Sequence, residues 1–357
     1  MRQRATLVAL VGVAIGIGYV ILVIAKAGWD PTVMLAEGSD ESIQHAYAER
    51  ALQREVFTRP DLGHDGHFFF IQANDPFLVS PAEHAAFLDQ PLYRSQRMAY
   101  PMLASFFGLL GPMTTLWGMI IVNIGAVAWG TMVTSLIGQR LNASPWLGLA
   151  FVLNPGVIAE LDISGSGVLA LAAALAAVLA VIRGQFVLGT CLLTLSVLSR
   201  ETLILVAIGL WLGMGLWKGR WQFQLVVYPA VLAVVWRLIA LWRLLAERVD
   251  PSGDPSSRVD NLGVPLEGLI EAVSIWEGRK LIFMLALLIL WLIALARAML
   301  SRSILGWSVL PAGLLGLVLA VPVWREPYDF ARAVAPIFTA YPILLAARNP
   351  KSKQVFN

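Results

Sequence analysis

Apolar runs that are long enough to cross a lipid bilayer recur along this sequence and constrain its fold most strongly. A membrane-spanning helix needs about 20 mostly apolar residues. Of the 357 residues, 58% are hydrophobic and only 14% are charged, whereas a soluble protein has roughly 25% charged residues. Because lipid supplies no hydrogen-bond partners, the backbone of such runs must pair within a helix. The sequence therefore predicts an all-α, polytopic transmembrane bundle forming a single membrane-embedded domain, residues 1–357.

Hydropathy predicts about ten spans. The first follows Met1-Arg2-Gln3-Arg4 and is longer than the apolar region of a signal peptide, so we interpret it as an uncleaved span. The run 186–217 is too long for one span and predicts two short or tilted helices. Residues 98–111 are too few to cross and predict a re-entrant or interfacial helix. The predicted spans are 5–25, 114–137, 145–161, 165–183, 186–199, 202–217, 222–246, 280–300, 304–322 and 331–347.

The distribution of charge predicts the orientation. Lys and Arg are enriched in cytoplasmic loops, and with the N-terminus inside, the inner loops contain many basic residues and no Asp or Glu. These basic residues are Arg2, Arg4, Arg140, Arg183, Lys218, Arg220, Arg297, Arg302, Arg348, Lys351 and Lys353. Both termini are therefore predicted to be cytoplasmic, with all acids outside. The net charge of +3 reflects this orientation and does not indicate a nucleic-acid partner.

Two outer loops are large. The first, residues 26–97, shows helical patterning from Ser42 to Phe57 and predicts two or three short interfacial helices. The second, residues 246–279, opens with a polar stretch from Asp250 to Ser257 that predicts a flexible linker or lid.

The strongest candidate for catalysis lies in the first outer loop, in Gly63-His64-Asp65-Gly66-His67. The two glycines allow a tight turn. A carboxylate that is partly desolvated at the lipid–water boundary has a raised pKa and becomes a better base. The alternative is that Asp65 only caps a helix that begins at Gly66. The two histidines match no strong zinc signature, and we predict neither a metal nor a cofactor.

Other ionisable groups are candidates for substrate binding. Arg94 and Arg97 share a helix face and could bind phosphate with forked donors, or could only anchor the helix that follows. Arg200 and Glu201 interrupt an apolar run, where ionisable residues are usually functional. Asp162 could bind substrate or cap the next helix. The predicted substrate-binding residues are His64, His67, Arg94, Arg97, Tyr100, Asp162, Arg200, Glu201, Arg237, Arg325 and Arg332.

At four of these segments the chain resembles the GT-C superfamily of polytopic glycosyltransferases, in particular bacterial members that build cell-surface glycopolymers. The segments are His64-Asp65-Gly66-His67-Phe68-Phe69, Arg94 to Pro101, Asn154-Pro155-Gly156 to Asp162, and Leu198-Ser199-Arg200-Glu201-Thr202. The last 150 or so residues match in hydropathy only.

This resemblance implies a GT-C-like fold and an enzyme of the bacterial inner (plasma) membrane with its active site outside. A polyprenyl-phosphate-linked sugar would be the donor, and a glycolipid or cell-surface glycan the acceptor. Asp65 would be the general base, and Arg97, Arg200 and Arg332 would contact phosphate or sugar. Many members carry an Asp-x-Asp pair, whereas this chain has His67 at the second position, which argues against a metal-assisted mechanism.

Two alternatives come from other functional classes. A transporter or lipid flippase for a glycolipid or related amphiphile would line its path with Arg200, Glu201 and Arg237, although such proteins often contain repeats and this sequence shows none. A non-catalytic membrane scaffold would tolerate replacement of Asp65.

Overall fold

The computed structural model of this protein describes residues 2–39, 43–60, 63–253 and 261–347. The fold is all-helical, with 75% of residues in helices and 2% in strands, as predicted. The α-helices are α1 (Arg2–Lys26), α2 (Ile43–Leu52), α3 (Gly66–Asn74), α4 (Pro91–Ser95), α5 (Ala99–Ser105), α6 (Pro112–Arg140), α7 (Pro155–Asp162), α8 (Gly167–Ile182), α9 (Phe186–Ser199), α10 (Ile204–Lys218), α11 (Gln224–Ala246), α12 (Glu267–Val273), α13 (Gly278–Leu300), α14 (Ile304–Leu314), α15 (Val321–Arg325), α16 (Pro327–Ala333) and α17 (Ala335–Ala346).

Short 3₁₀-helices and one small sheet complete the described chain. The 3₁₀-helices are Pro31–Leu35, Ala85–Phe87, Gly108–Leu110, Pro145–Ala150, Glu201–Leu203 and Leu315–Val318. Strands β1 (Glu37–Gly38) and β2 (Thr58–Arg59) pair in parallel within the first loop, a feature that the sequence did not predict.

Five helices in the described chain are long and apolar enough to cross a membrane, as expected for a membrane protein. They are Arg2–Lys26, Pro112–Arg140, Glu201–Lys218, Gln224–Ala246 and Gly278–Leu300. Helices α16 and α17 together form a sixth candidate, bent by 70°. Helices α8 and α9 and the segment Ile304–Val318 are apolar but shorter. The count of about ten spans stays a prediction.

Two predictions about individual segments have different outcomes. Two helices occupy 186–217 as predicted, because Arg200 is extended (φ −155°, ψ 112°) between α9 and the 3₁₀-turn that leads into α10. The predicted span 145–161, in contrast, is not one helix. A 3₁₀-helix ends at Ala150 and α7 begins at Pro155, because proline lacks the backbone N–H that a continuous helix would require.

Helix α8 forms the centre of the bundle. Every residue from Gly167 to Val181 is buried, and the helix packs between α6 and α9. Its alanine-rich sequence is apolar on all sides, as a helix surrounded by others requires. Helices α11 and α13 instead expose large apolar side chains such as Leu238 and Ile282, the surface that a bilayer would cover.

The loops contain more order than predicted. In the first loop α2, α3 and α4 are short helices, in agreement with the prediction, and α5 is too short to span. In the second loop the sequence did not predict α12. The second half of the predicted linker from Asp250 to Ser257 lies outside the described residues, as do Ser42 and the predicted inner residues Arg348, Lys351 and Lys353.

Two glycines allow the first loop to fold tightly around Asp65. Gly63 has a φ of 74°, which glycine adopts without strain. Gly66 begins α3 so close to its neighbours that a Cβ atom there would lie 2.4 Å from the carbonyl oxygen of Ile163 and 2.6 Å from that of Leu35. The turn therefore depends on glycine at Gly66 because of packing and at Gly63 because of backbone conformation.

We expect Gly66→Ala to lower the free energy of unfolding by about 2–3 kcal/mol, since the added methyl group meets backbone atoms that cannot rotate away. Thermal unfolding of the detergent-purified protein measures the change. Gly125→Ala is the matched control, because a Cβ atom at this exposed position of α6 meets nothing within 4 Å; it should be neutral or slightly stabilising. Equal stability of the two variants would contradict the packing argument.

Candidate functional site

Asp65 lies at the N-terminus of α3, and its carboxylate contacts three arginines. Its side chain does not cap the helix, so capping does not explain the residue. One oxygen accepts a hydrogen bond from Arg94 Nη1 at 2.7 Å, and the other accepts one from Arg332 Nη2 at 2.7 Å. Arg97 Nη1 lies 3.8 Å from the second oxygen. Groups separated by up to 267 positions in the sequence thus meet at one carboxylate.

Arg94 and Arg97 each connect Asp65 to a further acid. Arg94 donates two hydrogen bonds to Asp89, both 2.8 Å long, and its guanidinium lies 3.8 Å from the centre of the Phe68 ring. Arg97 donates to both oxygens of Glu201, at 2.8 and 2.7 Å. Such forked pairs are the strong form of the arginine–carboxylate interaction.

Glu160, on α7, is the acid that organises the other half of the site. Its side chain is 3% exposed. One oxygen pairs with Arg200 and accepts a hydrogen bond from Arg332 Nε at 2.7 Å. The other accepts a hydrogen bond from the backbone N–H of Gly167 at 2.9 Å, so Glu160 fixes the start of α8. Glu160 was not predicted to be a site residue, because hydropathy gives no signal for one acid at the end of an apolar run.

These groups form one connected set, which we call the carboxylate–arginine network. Its members are Asp65, Asp89, Glu160, Glu201, Asp329, Arg94, Arg97, Arg200 and Arg332. Five acids against four arginines leave the network with one net negative charge.

Water reaches two acids of the network, Glu201 and Asp329, more readily than it reaches Arg97 and Arg332. The side chains of Glu201 and Asp329 are 35% and 28% exposed, whereas those of Arg97 and Arg332 are 9% exposed. A ligand that approaches from solution therefore meets carboxylates first, with guanidinium groups beneath them.

The pKa of Asp65 is shifted down, whereas the sequence predicted an upward shift. Burial alone would raise this pKa, but the guanidinium groups of Arg94, Arg332 and Arg97 outweigh the burial and hold it well below its usual range. The prediction of a raised pKa was wrong, since it considered desolvation without the three nearby cations. Asp65 is ionised in this arrangement and is a weak base until the arginines move.

Asp162 belongs to a separate ion pair. Arg59 Nη1 donates to its carboxylate at 2.5 Å, and the Tyr19 hydroxyl donates to the other oxygen at 3.1 Å. Arg59 also donates to the backbone oxygen of Asp162 at 2.8 Å. The capping alternative for Asp162 is wrong, because Glu160 receives the Gly167 N–H. Arg59 was not predicted, since it reaches the pair only through β2.

Six predicted substrate-binding residues lie outside the network: Asp162, which pairs with Arg59, His67, which lies beside Glu37, and four others. Tyr100 is fully buried, and its hydroxyl donates to Met119 O at 3.1 Å and accepts from Asn123 at 3.0 Å. Arg237 and Arg325 are exposed, on α11 and at the end of α15. His64 is half-buried, and its backbone N–H donates to Ala36 O at 2.8 Å. Their predicted contacts with substrate stay predictions.

His67 lies beside a buried glutamate that the sequence did not single out. Its Nδ1 atom is 3.9 Å from Glu37 Oε2, and the Glu37 side chain is 0% exposed. Neither carboxylate oxygen of Glu37 has a hydrogen-bond partner among the described residues. Burial, with a smaller contribution from Glu49, raises the pKa of Glu37 to about 8. Burial and Arg94 lower the pKa of His67 to about 3.

The raised pKa of Glu37 predicts a loss of stability at alkaline pH. A folded-state pKa of about 8 above the unfolded value means that stability is full below about pH 4.5 and is lost as the pH rises through 8. His67 acts in the opposite direction below about pH 6.5, so the comparison belongs between pH 7 and pH 9. Over that range we expect a loss of roughly 1 kcal/mol that Glu37→Gln abolishes.

Thermal unfolding in detergent at the two pH values measures this difference. Glu55→Gln removes the same charge from an exposed position of the same loop and is the matched control. A native-like pH dependence in Glu37→Gln would show that the group does not titrate as argued.

Within the described residues, no three side chains of His, Cys, Asp and Glu come together as metal ligands would. His64, Asp65 and His67 therefore do not form a three-ligand group. The chemistry available from the network is that of ionised carboxylates and guanidinium groups.

No family model, no curated protein and no solved structure matches this chain. The function is therefore inferred from the sequence patterns and from the geometry of the network.

Proposed function

We propose that this protein is a GT-C-like membrane glycosyltransferase. It would move a sugar from a polyprenyl-phosphate donor to a glycolipid or cell-surface glycan on the outer face of a bacterial inner membrane, with both termini cytoplasmic. The observation that carries the proposal is the contact of Asp65 with Arg94 and Arg332 at 2.7 Å and with Arg97 at 3.8 Å. A candidate base, Asp65, thus lies next to guanidinium groups that can bind phosphate, as sugar transfer from a phosphate requires.

The reaction needs one proton transfer and one displacement. The acceptor hydroxyl gives its proton to the Asp65 carboxylate while its oxygen bonds to the anomeric carbon. The bond between that carbon and the phosphate oxygen breaks, and its electron pair leaves with the phosphate. Arg94, Arg97 and Arg332 stabilise the charge that develops on this leaving group.

The ion pairing of the arginines gives the donor a second role. Each of the three arginines around Asp65 is already paired with an acid, so a donor phosphate must compete with the carboxylates for them. As guanidinium groups turn to the phosphate, the field that lowers the pKa of Asp65 weakens and its basicity rises. Binding of the donor would thereby activate the base.

The exposed acids have a matching role in binding the sugar. Glu201 and Asp329 are the most exposed acids of the network, and carboxylates accept hydrogen bonds from hydroxyl groups. We assign them to the sugar hydroxyls.

The test is product analysis. Purified protein receives a radiolabelled polyprenyl-phosphate sugar and a glycolipid extract of a strain that lacks the gene, and the transfer of label is followed. We expect labelled glycolipid and released polyprenyl phosphate in the stoichiometry of one to one. A surface glycan that is unchanged in the deletion strain, together with no transfer in vitro, would overturn the proposal.

A transporter or flippase for a glycolipid is the second candidate. It is favoured because every arginine of the network is paired with a carboxylate. Such a set of ion pairs could act as a gate that opens when a substrate passes. The two functions differ in product: a flippase moves the lipid between leaflets of a vesicle and leaves its glycosidic bond intact.

A further inference from the structure

The end of the bundle opposite the network contains a second collection of arginines around a cavity. Helix α1 begins at Arg2, α6 ends at Arg140, and Arg183 follows the last residue of α8. An open cavity of about 320 Å³ lies between these three helix ends. Its lining consists of Arg2, Leu136, Gln139, Arg140, Arg183 and Gln185. We call it the basic cavity.

The basic cavity differs from the network in its charge balance. In the network every arginine has a carboxylate partner, whereas none of the six residues that line the basic cavity is acidic. Within the described residues, none of its three arginines forms a salt bridge with an acid. Three cations thus share one cavity, and no acid of the described residues lines it.

Gln139 supplies an independent observation that the cavity lacks a partner. Both polar atoms of its side-chain amide are buried, and neither has a hydrogen-bond partner among the described residues. Buried amide groups are nearly always hydrogen-bonded in native proteins. Gln139 lines the same cavity as the three arginines, and a rotation of its side chain would turn a neutral N–H donor toward a ligand there.

We propose that the basic cavity binds a phosphate-bearing anion through Arg2, Arg140 and Arg183, with Gln139 as an additional donor. Guanidinium groups bind phosphate with forked pairs of N–H donors. The volume of about 320 Å³ is at the lower end of the range for small-molecule sites, which suits one phosphate and the atoms attached to it. The source is either the headgroup of an anionic membrane lipid or a soluble phosphate compound.

The site is independent of the proposed glycosyl transfer. The 25 residues of α1 separate Arg2 from the loop that carries Asp65, a distance of roughly 37 Å at the helical rise. Failure of either proposal therefore leaves the other unaffected.

The experiment compares two triple variants of the full-length protein that remove the same charge. The cavity variant is Arg2→Gln, Arg140→Gln and Arg183→Gln. The surface variant is Arg220→Gln, Arg297→Gln and Arg302→Gln, at exposed arginines of the same end that do not line the cavity. Both are purified in detergent and exposed in separate arms to phosphatidylglycerol, to phosphatidylcholine and to inorganic phosphate. Bound molecules are counted by native mass spectrometry.

We expect phosphatidylglycerol to bind the native protein and the surface variant with similar affinity, and to bind the cavity variant at least tenfold more weakly. Gln139→Leu keeps every charge and should also weaken binding severalfold, which serves as the test if the triple variant does not fold. Binding of inorganic phosphate with the same sensitivity would assign a soluble compound. Equal losses in both triple variants, or no binding of any anion, would overturn the proposal.

Discussion

Asp65→Asn should lower glycosyl transfer by about 10²- to 10⁴-fold while leaving the bundle folded, the range that a positioned general base contributes. The amide cannot accept the proton of the acceptor hydroxyl, although it fits the same space beside Arg94 and Arg332. The measurement is the initial rate with a labelled polyprenyl-phosphate sugar, together with the surface glycan of the deletion strain complemented with the variant. That strain should lack the same sugar as the uncomplemented strain.

Asp30→Asn is the matched control for this change. Asp30 lies in the same loop and pairs with Arg54 at 2.8 Å, so its replacement also removes an acid from an ion pair but leaves the network intact. Transfer by Asp30→Asn should remain close to native. A native rate in Asp65→Asn would exclude Asp65 as the general base, whereas no transfer by the native protein would remove the enzyme assignment and favour a transporter or scaffold.

Arg332→Met is expected to lower the free energy of unfolding by about 3–5 kcal/mol, as removal of one partner from a buried ion pair usually does. Arg332 donates to Asp65 and to Glu160, each at 2.7 Å, and its side chain is only 9% exposed. Among the described residues, the variant leaves the nearly inaccessible Glu160 with Arg200 as its one cationic partner. Thermal unfolding of the detergent-purified protein measures the loss.

Arg325→Met provides the comparison, because Arg325 is exposed and lies at the end of the neighbouring helix α15. Its replacement should change stability by less than about 0.5 kcal/mol. Arg332→Lys should recover only part of the native stability, since an ammonium group lacks the fork that reaches both acids. A fully native Arg332→Met protein would contradict a structural role for the network.

Much of the fold follows from local sequence patterns. Apolar runs predict helices because each helix satisfies its own backbone, whichever helices surround it. The break at Arg200 could be located for the same reason, since an Arg-Glu pair within an apolar run interrupts a span. The helix break before Pro155 was not predicted. Hydropathy is averaged over a window and does not register that proline lacks a backbone N–H.

The candidate site could be predicted in part. Asp65 was selected because glycines flank an acid in a loop, and Arg94 and Arg97 because of their spacing. Glu160 and Arg59 were not selected, since their importance comes from partners 172 and 103 positions away. Glu37 was missed because its burial depends on the turn at Ala36, which has a φ of 55°.

The sequence by itself determined that the chain forms apolar helices and which ionisable residues interrupt them, because hydropathy and helical pairing are properties of each segment. Only the tertiary structure decided which acids meet which arginines, and with them the low pKa of Asp65. Coulomb interactions depend on distance through space, and α3, α4, α7, α16 and the turn between α9 and α10 bring together charges that no segment contains alone. The same reason separates the arginines of the network from the three arginines of the basic cavity, which pair with no acid among the described residues.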